Sequence, residues 1–323
     1  MRRAVETMLA TAVLVLAGAC SAVAPVRYEA GDGVGTPVWP EPPAAARVRW
    51  EGAWNARSDG YVRPHGLDAA ADGALCVADP PARLVWRHDP EGRIRRVGDG
   101  DLRQPVDCAL LPDGALAVAD SVLGRVFIFD ARGRLRGASP ENALERPVAL
   151  AADPAAGRLF VADALGHRIV ILGLDATPRG AFGHRGTGKG EFNFPVALEL
   201  MPGGRLAVVD SMNFRVQIVT TDGTPVAVFG SAGDGPGTFS RPRGIAVDAQ
   251  GHIWVADALF DNVQIFDQQG RLLLAVGRQG RGPGQFWMPA GIASRDDGRV
   301  FVADAYNRRV QVFALLAPGG TTP

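Results

Sequence analysis

The sequence predicts an all-β fold, a six-bladed β-propeller of four-stranded blades, and three observations carry that prediction. Six segments align around an aspartate: LCVADPPARLVW from Leu75, LAVADSVLGRVFIF from Leu116, LFVADALGHRIVIL from Leu159, LAVVDSMNFRVQIV from Leu206, IWVADALFDNVQIF from Ile253 and VFVADAYNRRVQVF from Val300. Their aspartates, Asp79, Asp120, Asp163, Asp210, Asp257 and Asp304, stand 41, 43, 47, 47 and 47 residues apart, a spacing of propeller blades rather than of helical repeats of about 33 or 34 residues. Each segment alternates apolar and polar residues about a short polar turn, which reads as a β-hairpin, and helical periodicity is missing throughout.

The remaining strands follow in order. Before each hairpin a short apolar strand opens on proline, at Pro64, Pro105, Pro147, Pro195, Pro242 and Pro289. Small residues dominate these strands, as expected where inner strands crowd toward an axis. Turn signals join them to the hairpins at Asp72-Gly73, Asp113-Gly114, Gly157, Gly203-Gly204, Gly251 and Asp297-Gly298. A fourth strand follows in only five units, after Gly92, Gly133, Asp175, Gly223 and Gly270. The sixth is expected to borrow its outer strand from residues 47–54, RVRWEGAW, which would close the ring and remove its exposed edges. The propeller is thereby bounded at residues 47–313, with a tail over 314–323.

The start of the chain has a different character. Arg2 and Arg3, the apolar run Met8–Leu16 and the small residues Ala17-Gly18-Ala19 before Cys20 form the three-part layout of a secretion signal over residues 1–19. Leu16 to Cys20 resembles a bacterial lipoprotein box, with Ala17 where leucine is usual. That resemblance implies acylation of the Cys20 thiol, while ordinary signal cleavage would release a free protein beginning at the same cysteine. Prolines at 25, 37, 40, 42 and 43 give residues 20–46 the composition of a semi-rigid spacer. The expectation is an exported, monomeric propeller in the cell envelope, touching the membrane through a lipid anchor only.

The pattern V-A-D-x-x-N-x-R-V-Q-x-F, clearest at Val302 to Phe313, and the linker G-x-x-G-x-G-x-G-x-F-x-x-P at Gly183, Gly230 and Gly277 resemble NHL repeats. The likeness covers residues 47–313. It implies the fold, in a family whose propellers serve as protein-binding, RNA-binding and occasionally enzyme scaffolds; the expectation here is a propeller that binds a protein, peptide or glycan through its loops and channel mouth. Nucleic acid is not expected, because 34 basic residues balance 34 acidic ones.

Chemistry should reside where the repeat breaks. The recurring pairs Asp79/Arg83, Asp120/Arg125, Asp163/Arg168, Asp210/Arg215 and Asp304/Arg309 do not break it, so they read as structural, the aspartate accepting turn amides and the arginine bridging blades. Blade five has Asn262 instead. The inner strands do break it. His65 and Arg243 share one rank, Asp107 replaces a glycine-type residue, and Asp68 and Glu199 share a third rank otherwise held by alanine. These five are the candidates for a pocket at the channel mouth, the alternative being that they bind channel water or one another, with Arg243 pairing a carboxylate.

No cofactor is expected of a binding propeller. The alternative function is a periplasmic metal-dependent lyase- or lactonase-like enzyme with its site at the central channel. The NHL-type amidating lyases hold zinc with three inner-strand histidines, and Pro64-His65-Gly66 resembles only one such position, short of the three ligands zinc needs. In the gluconolactonase-like enzymes carboxylates hold a divalent ion such as calcium, which Asp68, Asp107 and Glu199 could imitate. Cys76 and Cys108 fall at core positions of blades one and two, as two buried thiols or as a disulfide. In the glycine-rich linkers Phe192, Phe239 and Phe286 are expected to plug the gaps between blades, and an exposed Trp287 would mark a partner surface. Lys189 lacks the following helix that a phosphate loop requires.

Overall fold

The structure, a computed structural model, describes residues 26–31, 35–41, 44–57 and 59–316; Cys20 and the secretion signal lie outside the described residues. Six antiparallel sheets stand around a central channel. Blades one to five each have four strands in meander order, from Leu67–Ala69 at the centre of blade one to Leu272–Val276 at the outside of blade five. In blade six Pro289–Ser294 is innermost, Arg299–Asp304 second and Arg309–Leu315 third, so the last strand runs past Phe313 into the expected tail.

The ring closes on the chain's own beginning. Val48–Ala56 pairs antiparallel with Arg309–Leu315, setting Trp54 opposite Val310 and Val48 opposite Leu315. The indole Nε1 of Trp50 donates to Oε1 of Gln311 at 2.9 Å, and the ring is buried with Phe286 and Phe313.

One expectation is corrected here. The stretch 20–46, read as a spacer, instead supplies Val26–Ala30 and the short Val38–Trp39, both paired with the free edge of Val48–Ala56. Its prolines flank these strands rather than interrupt them. Val26 is buried, Tyr28 lies 5.1 Å from Trp54 between ring centroids, and the edge that closure would have left open is covered.

Between blades the packing is the buried face of β alternation, repeated. The second strands Leu75–Asp79, Leu116–Asp120 and Ile253–Asp257 are buried along their whole length, and those of the other three blades are buried after their first arginine, because a sheet faces them on both sides. One residue per blade plugs the gap at the linker: Tyr61, Leu102, Leu144, Phe192, Phe239 and Phe286, all buried. The expectation for the three phenylalanines thus extends round the ring. Near the axis Gly66, Gly244 and Gly291 stand where a Cβ would run into the backbone of the next inner strand.

Cys76 and Cys108 form a disulfide between the second strand of blade one and the inner strand of blade two, with Cα atoms 6.4 Å apart. It joins the two blades at a seam where the linker carries the smaller plug Leu102.

Closure makes a specific demand of Trp50. Trp50→Ala is expected to cost about 3–5 kcal/mol through the lost buried volume and the orphaned Gln311. Denaturant unfolding checks this, and a midpoint equal to that of the unmutated protein would show that the closing strand does not carry the ring.

Candidate functional site

The aspartate repeated in every blade is fully buried and organises one face of the disc. Asp257 accepts the amides of Ser240 and Arg241, in the linker before its inner strand, and those of Leu259 and Phe260, in its own hairpin turn. Asp120 does the same for Arg103, Gln104, Val122 and Leu123. Asp79 takes the amides of Val62 and Arg63, Asp163 those of Glu145 and Arg146, Asp210 that of Asn193 and Asp304 that of Trp287. One carboxylate per blade therefore fixes the loop that leads to the channel mouth.

The arginine partners follow the expectation in three blades. Arg168, Arg215 and Arg309 pair with Asp163, Asp210 and Asp304 at 3.0, 2.8 and 2.8 Å. Arg215 and Arg309 also donate to linker carbonyls, and Gln217, Gln264 and Gln311 each accept the amide of a linker glycine, Gly190, Gly237 and Gly284. The other two pairs do not form. Arg125 donates instead to the Ser139 carbonyl, Asp79 is occupied by the indole of Trp86, and Arg83 turns to the channel mouth.

That mouth is a cavity of about 1230 Å³ lined by residues of all six blades. Its wall carries Arg63, Arg83, Arg103, Arg146, Arg241 and Arg243, and among the described residues none of the six forms a salt bridge. Among the described residues no aspartate or glutamate lines it. In blades two to six the residue two places after the repeated aspartate, Val122, Leu165, Met212, Leu259 or Tyr306, is an exposed apolar side chain of the hairpin turn, and Val122, Met212 and Tyr306 line the mouth. Trp287 is 37% exposed, packs at a tilt against Tyr306 with centroids 5.4 Å apart and is capped by Arg281, while Arg63 lies over the Tyr306 ring.

The five residues singled out from the sequence divide between this mouth and a second cavity of about 40 Å³ below it. His65 and Arg243 line both, Asp107 and Glu199 line only the lower one, and Asp68 lines neither. Asp68 and Asp107 each accept an amide of the next blade's inner strand, from Leu110 and Leu150, both at 2.8 Å. They act as staples between neighbouring inner strands, a role that glycine or alanine at those ranks cannot supply. His65 makes the equivalent link from Nδ1 to the Val106 carbonyl at 2.9 Å, which leaves Nε2 an acceptor. Arg243 pairs with no carboxylate among the described residues. His88 closes the strand Leu84–His88 and is buried against Tyr61, away from the channel.

The electrostatics divide in the same way. Burial, then Arg243 and Arg63, hold the His65 pKa down at about 4. Burial raises Asp107 to about 8, with the Asp68 charge adding to it, and pushes Glu199 well above the usual carboxylate range. Among the described residues no three His, Cys, Asp or Glu side chains are gathered to hold a metal ion. Calcium or zinc does not fit this donor set, since both oxygens of Asp68 and one of Asp107 are taken by amides and His65 is the single inner-strand imidazole.

Sequence reasoning missed the arginine wall. The signal was present, because Arg63, Arg146 and Arg241 all immediately precede an inner-strand proline, where the other blades have Gln104, Phe194 and Met288. That rank lies one residue outside the inner-strand alignment and so escaped it.

Comparison with known proteins agrees with this architecture. The family model described as NHL repeat matches residues 239–266 and 286–313, which cover most of blades five and six. Those two blades carry NHL repeats. No curated protein matches the chain by sequence. Similar solved structures include a streptogramin B lyase, with a TM-score of 0.62 at 15% identity over 84% of this chain and 98% of that one. Virginiamycin B lyase from Staphylococcus aureus aligns with a TM-score of 0.58 at 14% identity, over 79% and 95% of the two chains. A chain of a nidogen/laminin complex aligns with a TM-score of 0.61 at 17% identity, over 79% and 94%. At these identities they share the fold with the NHL-bearing propeller and nothing finer.

The channel charges predict a pH profile. Asp107 and Glu199 bind protons more tightly folded than unfolded, so their contribution to stability is greatest in acid and is lost as pH rises toward and through about 8. His65 acts oppositely, but only below its unfolded value of 6.5. Above pH 6.5 the carboxyls therefore act alone, and the melting temperature is expected to fall by a few degrees from pH 6.5 to beyond pH 8. Asp107→Asn should flatten that decline, whereas an equal decline in the variant would contradict the assignment.

Proposed function

We propose that this chain is a non-catalytic binding propeller of the cell envelope, exported and tethered through an acylated Cys20, which takes a protein, peptide or glycan partner at the channel mouth. One observation carries the reading: a cavity of about 1230 Å³ opens on the face where the repeat varies, and every blade contributes to its wall. A scaffold that fixes its backbone with six repeated aspartates and varies the side chains around the mouth has the organisation of a recognition surface. Propellers similar in fold occur both as lyases and within a nidogen/laminin complex, so fold does not choose between catalysis and binding and the site must. Several acyl chains on Cys20 would anchor the chain firmly, where one would hold it only marginally.

The alternative, an enzyme acting through His65, Asp68, Asp107, Glu199 and Arg243, places its chemistry in the lower channel. One experiment separates the two. A photo-crosslinking amino acid is placed at Met212, on the mouth, or at Gln250, in a turn on the opposite face, and intact cells are irradiated. The binding reading expects a discrete envelope adduct from position 212 and none from position 250, with the protein leaving the membrane fraction when Cys20→Ser is introduced. Equal adducts from both faces, or purified protein holding stoichiometric calcium or zinc that Glu199→Gln or His65→Ala removes, would overturn it.

A further inference from the structure

The charge and shape of the mouth define its ligand more narrowly than a binding surface in general, an inference that rests on the reading above. Six guanidinium groups converge on one cavity with no carboxylate on its wall and no salt bridge among the described residues to neutralise any of them. Elsewhere on the molecule exposed arginines are routinely paired, as Arg93 is with Asp89, Arg134 with Asp130 and Arg271 with Asp267. Unpaired guanidinium groups crowded together repel, and the Arg243 pKa is lowered by burial and then by Arg241 and Arg63. An arrangement that is self-repulsive when empty is relieved by an anion, and guanidinium forks match carboxylates in bidentate geometry.

The rim adds the second half of the recognition chemistry. Val122, Met212 and Tyr306 line the mouth from the hairpin turns and are exposed, with Trp287 packed against Tyr306. A ligand that satisfies both layers carries acidic groups at its centre and apolar groups on either side. The volume of about 1230 Å³ lies above the roughly 300–1,000 Å³ of small-molecule clefts, which favours a length of chain over a compact metabolite. Arg243 and His65 stand on the inner-strand wall, recessed beneath the exposed rim and reaching down to the lower cavity. A flat bilayer would meet the rim and leave them untouched, whereas a narrow segment reaches them.

We infer that the channel mouth binds an acidic peptide segment of a partner protein, its carboxylates held by Arg63, Arg146, Arg241 and Arg243 and its apolar side chains laid on the ring of Val122, Met212, Tyr306 and Trp287. The carboxylates of the lower channel set the depth of entry, because Asp107 and Glu199 present an acidic or protonated surface that gives an anion no reason to pass Arg243.

The test uses the mature chain and a short fluorescein-labelled peptide alternating glutamate with leucine, read by fluorescence anisotropy. Its glutamine counterpart, a single-stranded oligonucleotide and phosphatidylglycerol vesicles serve as competitors. The glutamate peptide is expected to bind, to weaken steeply with salt, and to lose about tenfold in affinity for each of Arg63→Gln, Arg146→Gln and Arg241→Gln. These side chains are exposed, so the variants should melt as the unmutated protein does, and Arg179→Gln on the exposed outer strand of blade three should bind unchanged. Equal binding of the glutamine peptide, or no salt-sensitive binding up to millimolar peptide, would overturn the inference. So would tighter competition by the oligonucleotide, or vesicle binding indifferent to Arg243→Gln. In each of those cases a position-212 crosslink that persists would leave the binding-propeller reading standing, and its loss would remove both.

Discussion

One buried carboxylate per blade is the constraint from which the rest of the structure follows. A charge removed from water is costly unless polar groups surround it, and here backbone amides and, in some blades, arginine, asparagine and glutamine side chains do so. In every blade those amides come from the linker entering the inner strand, and at Asp120 and Asp257 also from the turn of the hairpin. Each aspartate therefore ties its blade to the linker on one face, and so sets the position of the linker side chains that look into the mouth. Arg63, Arg146 and Arg241 hold their places through amide bonds to Asp79, Asp163 and Asp257.

Around that frame the molecule separates stability from recognition. The plugs between blades, the glutamines that hold linker glycines, and the closing strand with its further cover at Val26–Ala30 repeat or complete the ring. The channel does neither. It is cationic at the mouth and acidic below, and the two layers meet at His65 and Arg243. Asp68 and Asp107 belong structurally to the inner strands, where they replace steric fit by hydrogen bonds to the neighbouring blade. Their unusual identity therefore arises from holding the axis together, while the charges that face solvent at the mouth are free to meet a ligand.

The fold was legible because its determinants are local and repeat: the alternation, the turn glycines and the aspartate period each appear six times. Closure was legible from the missing sixth outer strand and from RVRWEGAW. Val26–Ala30 escaped because nearby prolines dominate the composition, though none falls within the strand. The candidate site was legible only in part. Aligning inner strands found Asp107 and Glu199 in the lower channel and His65 and Arg243 at its top, yet it could not show that Asp68 and Asp107 are spent on amides of the next blade, since cross-blade register is not a property of any one segment. The arginine wall is assembled from linker residues one or two places before the inner-strand prolines, a hairpin turn and an inner strand, positions brought together by closure of the ring.

The aspartate frame is tested most directly by amide hydrogen exchange on Asp257→Ala. The account predicts that the amides of Ser240 and Arg241 lose protection by about tenfold or more, in step with the loss of one charge-assisted hydrogen bond each, while strand amides of blade three, such as Val161, keep theirs. Unchanged protection at Ser240 and Arg241 would show that the linker is held by something other than the buried carboxylate, and would contradict the account.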